Sequence, residues 1–109
     1  MSYSVFAEDK LAVDSIRIID EDVGAGESVH TKLSVDVDGL NEELEIFAVI
    51  PELGIRTTLG PYNPTGIITK PDLFLEIPED AEPGEYWIRF TVRDDDGRRR
   101  VKYRAVEVV

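Results

Sequence analysis

The sequence predicts an all-β fold, an antiparallel two-sheet sandwich of about seven strands. Three observations carry the prediction: apolar residues recur with a period of two, turn-forming clusters separate the runs at short intervals, and no stretch holds an amphipathic helical stripe of useful length. At 109 residues the chain is one domain by size. It has no cysteine, so neither a disulfide framework nor a thiolate zinc site is available.

Residues 1–10, MSYSVFAEDK, read as an N-terminal extension and residues 11–109 as the sandwich. In LAVDSIRII the apolar side changes parity between Val13 and Ile16, which predicts a first strand that kinks or bulges. SVHTKLSVDVDG alternates throughout, with Val29, Thr31, Leu33, Val35 and Val37 on one side and His30, Lys32, Ser34, Asp36 and Asp38 on the other. LEIFAVI, Leu44–Ile50, is apolar on both sides, as suits a central strand covered on each face. Shorter strands are expected at residues 54–58 and 72–77. EYWIRFTVR turns Tyr86, Ile88, Phe90 and Val92 inward and Glu85, Trp87, Arg89, Thr91 and Arg93 outward, and the last strand takes residues 98–109. Prolines 61, 64, 71, 78 and 83 punctuate the gaps between strands. The expected core is Val29, Leu33, Val35, Ile46, Ile50, Leu75, Ile88, Phe90 and Val92.

RDDDGRRRV, residues 93–101, reads as a hairpin tip. With Asp96 and Gly97 as a two-residue turn, Asp95 meets Arg98, Asp94 meets Arg99, Val92 meets Val101 and Phe90 meets Tyr103, so opposite charges face each other near the tip. That register sets Arg93 against Arg100 and needs a further bulge after Tyr103, where Val106 and Val108 take over as the buried set.

The net charge is −11, from 23 acidic and 12 basic residues. A field of that sign repels nucleic-acid phosphates and anionic lipid, so neither is an expected partner. No apolar run is long enough to span a membrane, and the first ten residues carry acid where a signal peptide carries base. The expectation is a piece of a longer exported chain, at the cell surface or outside it, or else a cytoplasmic protein.

The order AGESV, an alternating strand, IPELGI, then IPEDAEPGEYWIRFTV and a final hairpin resembles the immunoglobulin-like repeat domains of archaeal surface-layer and other cell-surface proteins, the group related to CARDB domains. The resemblance covers residues 13–109 and implies an immunoglobulin-like antiparallel sandwich used as a structural module. It also implies that Tyr86, opening the penultimate strand, hydrogen-bonds back across the corner before it.

Residues for catalysis are scarce. His30 is the only histidine, outward on its strand beside Lys32 and Ser34, and no phosphate-binding glycine loop is present, so an enzyme is not expected. Two loops at one end of such a sandwich gather Asp36, Asp38 and Glu42 near Asp94, Asp95 and Asp96, hard oxygen ligands of the kind calcium takes. The alternative is a solvated acidic pole, since Asp94 and Asp95 have arginines at hand. No other cofactor is expected.

Trp87, the only tryptophan, points outward, with Arg89 beside it and Phe47 on the same outer surface. These three either form a patch for a protein or glycan partner or are covered by residues 1–10 or by the GPYNPTGIITKP connection, and cover is the favoured expectation. Two functions follow. One is a non-catalytic structural or assembly module of an S-layer-like cell-surface protein, whose partners are neighbouring domains or identical subunits. The alternative is a ligand-binding module for carbohydrate or a protein partner, working through the aromatic face.

Overall fold

The computed structural model describes residues 11–19, 22–37, 43–64, 67–95 and 97–109, and these contain nine strands and no α-helix. In chain order they are β1 (Ala12–Ile18), β2 (Asp22–Val23), β3 (Ser28–Asp36), β4 (Leu44–Ile50), β5 (Ile55–Tyr62), β6 (Ile68–Thr69), β7 (Asp72–Glu76), β8 (Gly84–Asp94) and β9 (Arg99–Val108). One sheet has β1 beside β3, and β7 and β6 follow one another along the other side of β3. The other sheet runs β2-β9-β8-β4-β5. Counting β6 and β7 as one interrupted strand and β2 as a short continuation of β1, seven principal strands form the expected immunoglobulin-like sandwich.

The inward positions of both sheets meet in one core that includes Val29, Leu33, Val35, Ile46, Ile50, Leu75, Ile88, Phe90 and Val92, all buried. After the exposed Ser28, strand β3 alternates buried and half-buried residues to its end, as its sequence does. Thr31 is the polar exception on its inner side, and its hydroxyl donates to the Leu73 carbonyl at 3.1 Å, so its burial leaves no unsatisfied group. In β1 the pairing with β3 shifts between Val13 and Ser15, and the extra residue, Asp14, lets both Val13 and Ile16 face inward.

Two expectations are corrected. Pro61 lies within β5 rather than between strands. It is tolerated because β5 is an edge strand and because the β4–β5 register shifts between Leu44 and Ile46, opposite the Gly60–Pro61 step. Gly60 sits there at φ 97°, and a Cβ on it would lie 2.6 Å from the Leu44 carbonyl oxygen.

The second correction is the β8–β9 register. The cross-strand partners are Arg93 with Arg99, Val92 with Arg100, Thr91 with Val101, Phe90 with Lys102 and Arg89 with Tyr103, one residue away from the charge-matched pairing. The loop has three residues, not two: the Asp94 amide donates to the Arg98 carbonyl at 3.1 Å, the Gly97 amide to the Asp94 carbonyl at 3.3 Å, and Gly97 takes φ 88°. A type I turn closed by a left-handed glycine is the usual three-residue solution. Asp94 anchors it, accepting the Arg98 amide at 2.9 Å and Arg98 Nε at 2.7 Å from a fully buried carboxylate. With this register β9 needs no bulge, since Arg100, Lys102, Arg104, Val106 and Val108 share one side of an unbroken ladder. Only Val106 and Val108 reach the core, while Val101 and Tyr103 lie on the outer side and are exposed.

The corner before β8 forms as the resemblance implied: Tyr86 Oη donates to the Glu82 carbonyl at 2.7 Å. Tyr86→Phe is expected to lower stability by about 1 kcal/mol in denaturant unfolding, the value of one intramolecular hydrogen bond. Gly60→Ala is expected to cost about 2 kcal/mol or more, because left-handed strain and a backbone clash add.

Candidate functional site

The five-stranded sheet has a second face that no other layer covers among the described residues. Its side chains follow from the registers. Across β9, β8 and β4, one row is Val101, Thr91 and Phe47, the next is Tyr103, Arg89 and Val49, and beyond it Ala105 stands beside Trp87. Trp87 and Tyr103 are each 52 % exposed and Val101 42 %.

This face brings together the three residues proposed from sequence, Trp87, Phe47 and Arg89, and treats them differently. Phe47 is half-buried, and among the described residues its cover comes from side chains of the neighbouring strands. The Arg56 guanidinium lies over its ring at 4.5 Å from the centroid and that of Arg93 at 5.5 Å. Arg93 Nε also donates to Glu45 at 2.7 Å, so this corner of the face is closed by its own arginines. Trp87 stays open, and within the GPYNPTGIITKP connection Tyr62 instead packs against the core, its hydroxyl 3.2 Å from that of Thr69. Residues 1–10 lie outside the described residues. Sequence reasoning missed Val101 and Tyr103, because the charge-matched register sent them inward.

The charged side chains of this face are Arg56, Arg89, Arg93 and Arg99, with Glu45 among them, and, beyond Trp87 and Ala105, the acids Asp22, Glu85 and Glu107. Arginine therefore gathers towards the turn end of the face and acid at the other end, and most of the excess acid of a chain of net charge −11 lies off it. One acidic region is the loop end. There the Glu43 amide donates to Asp95 Oδ2 at 3.4 Å, joining the two loops expected to meet. Asp94 is engaged by Arg98, Asp36 is half-buried at the end of β3, and Asp38, Glu42 and Asp96 lie outside the described residues. Among the described residues no group of three or more histidine, cysteine, aspartate or glutamate side chains is arranged to hold a metal ion.

The opposite sheet carries a polar cluster around His30. Its ring stacks on Phe74 at 4.4 Å between centroids, and Nε2 lies 2.8 Å from Asp72 Oδ1, with Lys32 Nζ at 3.3 Å from the same oxygen. The hydrogen bond from His30, helped by Lys32 and opposed by partial burial, holds the Asp72 carboxyl below its ordinary value of 3.8. The pair is a diagonal cross-strand contact between β3 and β7.

No described helix is long and apolar enough to cross a membrane. No family model matches the chain, and no curated protein matches it. Among solved structures the chain is similar to the CARDB domain of a Pyrococcus furiosus protein, crystallised in complex with di-metal ions: TM-score 0.60, 19 % identity, 99 % of this chain and 95 % of that one covered. The likeness shows a CARDB-like sandwich fold.

Two outcomes are expected here. Trp87→Ala changes stability by no more than about 0.5 kcal/mol, as for an exposed position, whereas Ile88→Ala, one residue on and facing the core, costs roughly 2–5 kcal/mol. The Asp72 carboxyl titrates in NMR with a midpoint below 3.8, and His30→Ala moves it upward. Because the folded value is the lower one, the contribution of Asp72 to stability is complete above its unfolded value and is lost as pH falls through the folded one.

Proposed function

We propose that this domain is a non-catalytic assembly module of a cell-surface, S-layer-like chain, and that it meets neighbouring domains or subunits through the outer face of its five-stranded sheet. The observation that carries the proposal is the exposed row of Val101, Tyr103 and Trp87, flanked by Arg89. An uncovered aromatic patch with arginines beside it has the composition of an interface centre. Its charge also selects the partner. Arginines towards one end and acids at the other make the face complementary to itself when two copies meet antiparallel, with opposite charges across the aromatic contact. The CARDB-like fold supports a structural role, and no pair of groups in the described residues is placed as acid and base.

Sedimentation over a range of protein and sodium chloride concentrations tests the proposal. Association is expected at low salt, weakened by added salt and abolished by Trp87→Ala combined with Tyr103→Ala at unchanged melting temperature. Association indifferent to both substitutions would refute it. Low-millimolar calcium against matched ionic strength is the comparison arm: association or a raised melting point with calcium alone would place assembly at the acidic loops instead.

A further inference from the structure

Among the described residues, strand β9 has an open edge. It pairs with β8 from Arg99 to Val108, but on its other side with β2 only at Glu107 and Val108. The Asp94–Arg98 hydrogen bond sets the alternation of the ladder. Even-numbered residues of β9 bond to β8, so Arg99, Val101, Tyr103 and Ala105 turn their N–H and C=O groups to the open side. The Val109 amide continues the pattern, donating outward to the Val23 carbonyl at 2.8 Å.

Two of these outward carbonyls are capped from within the strand. Arg100 Nη1 donates to the Arg99 carbonyl at 2.9 Å, and Arg104 Nη1 to that of Tyr103 at 2.7 Å. Among the described residues no carboxylate lies within ion-pair distance of Arg99, Arg100, Lys102 or Arg104. Arg100, Lys102 and Arg104 stand on one side of the strand, and Val101 and Tyr103 on the other, beside Trp87. Charge blunts the edge against apolar strands and against a second β9. It does not blunt the edge against acid.

We propose that the edge over residues 99–105 takes an extended protein segment of alternating acidic and apolar residues as an added strand. The backbone of the segment pairs with the outward groups of Val101 and Tyr103. Its carboxylates draw the guanidinium groups of Arg100 and Arg104 off the carbonyls they cap and pair with Lys102. Its apolar residues extend the Val101, Tyr103 and Trp87 row. Towards β2 the edge opens on a groove of about 440 Å³ between β1 and β9, bordered by Ile16, Ile18 and Arg104 and by the acids Asp22, Glu85 and Glu107, with room for a further side chain that is apolar rather than acidic. Specificity comes from the repulsive half of the arrangement, since a basic or wholly apolar strand leaves the arginine caps in place.

The probe is a capped peptide of about seven residues alternating glutamate and valine, matched in length to the edge. It is compared with a peptide of the same composition whose glutamates all precede its valines. The alternating peptide is expected to bind saturably, to protect the Val101 and Tyr103 amides from hydrogen exchange, and to weaken with sodium chloride. Val101→Pro removes one outward N–H without touching the β8 ladder, and it is expected to lower affinity at least roughly tenfold at unchanged melting temperature. Arg100→Glu with Arg104→Glu is expected to do the same by charge. Equal binding of the two peptides, binding untouched by Val101→Pro, or no saturable binding would overturn the proposal. The assay reads a dilute single domain, so its result stands apart from that of the self-association experiment.

Discussion

The three-residue turn between β8 and β9 governs the surface of this molecule. Asp94, with its carboxylate buried and bonded to both the backbone and the side chain of Arg98, and Gly97, in the left-handed region, define where β9 begins to pair. Every later pairing inherits that choice. Phe90 and Val92 face the core whichever way β9 slides, because β4 and the opposite sheet hold them there. What the turn decides is the identity of their neighbours. Arg100, Lys102 and Arg104 fall on the inner side, Val101 and Tyr103 on the outer, and the exposed aromatic row exists because of it. A small local energy thus fixes the orientation of a whole strand, as the two-residue period of a sheet requires.

The two aromatics of the outer face show how the same sheet hides one ring and offers another. Phe47 stands on a central strand, within reach of cations from both neighbouring strands, and their planar guanidinium groups lie over it while their charge stays hydrated. Trp87 has Ala105 across from it on the next strand, a side chain too short to lie over the indole. The difference is one of cross-strand partners, and it converts two similar sequence positions into one closed site and one open site.

Much of the architecture was legible in the sequence because alternation reports directly on burial. The clean period of β3, the inward set of β8, the irregularity of β1 and the corner made by Tyr86 all follow from local chemistry that tertiary contacts reinforce. The register of the last hairpin was not legible. DDDG followed by RRR invites pairing of opposite charges, yet exposed ion pairs are weak and the turn geometry outweighs them. The same error hid Val101 and Tyr103 from the candidate face. It also prompted a bulge in β9 that the true register makes unnecessary. Strands as short as β2 and β6 leave no periodic trace, and the covering of Phe47 by Arg56 depends on a contact across β4 and β5 that spacing does not display.

The parallel contact of β2 with β9 has a mechanical meaning. Tension transmitted along the chain through residues 11 and 109 draws these two neighbouring strands in opposite directions along their common axis. The Asp22–Glu107 and Val23–Val108 pairings, with the bond from Val109 to Val23, are then loaded together in shear instead of parting one after another like a zip. Rupture must break them simultaneously, and Val23 and Val108 are buried beside them, so it must also wet part of the core. A ladder of only two residue pairs thereby becomes the latch that a pulling force meets once β1 has parted from β3.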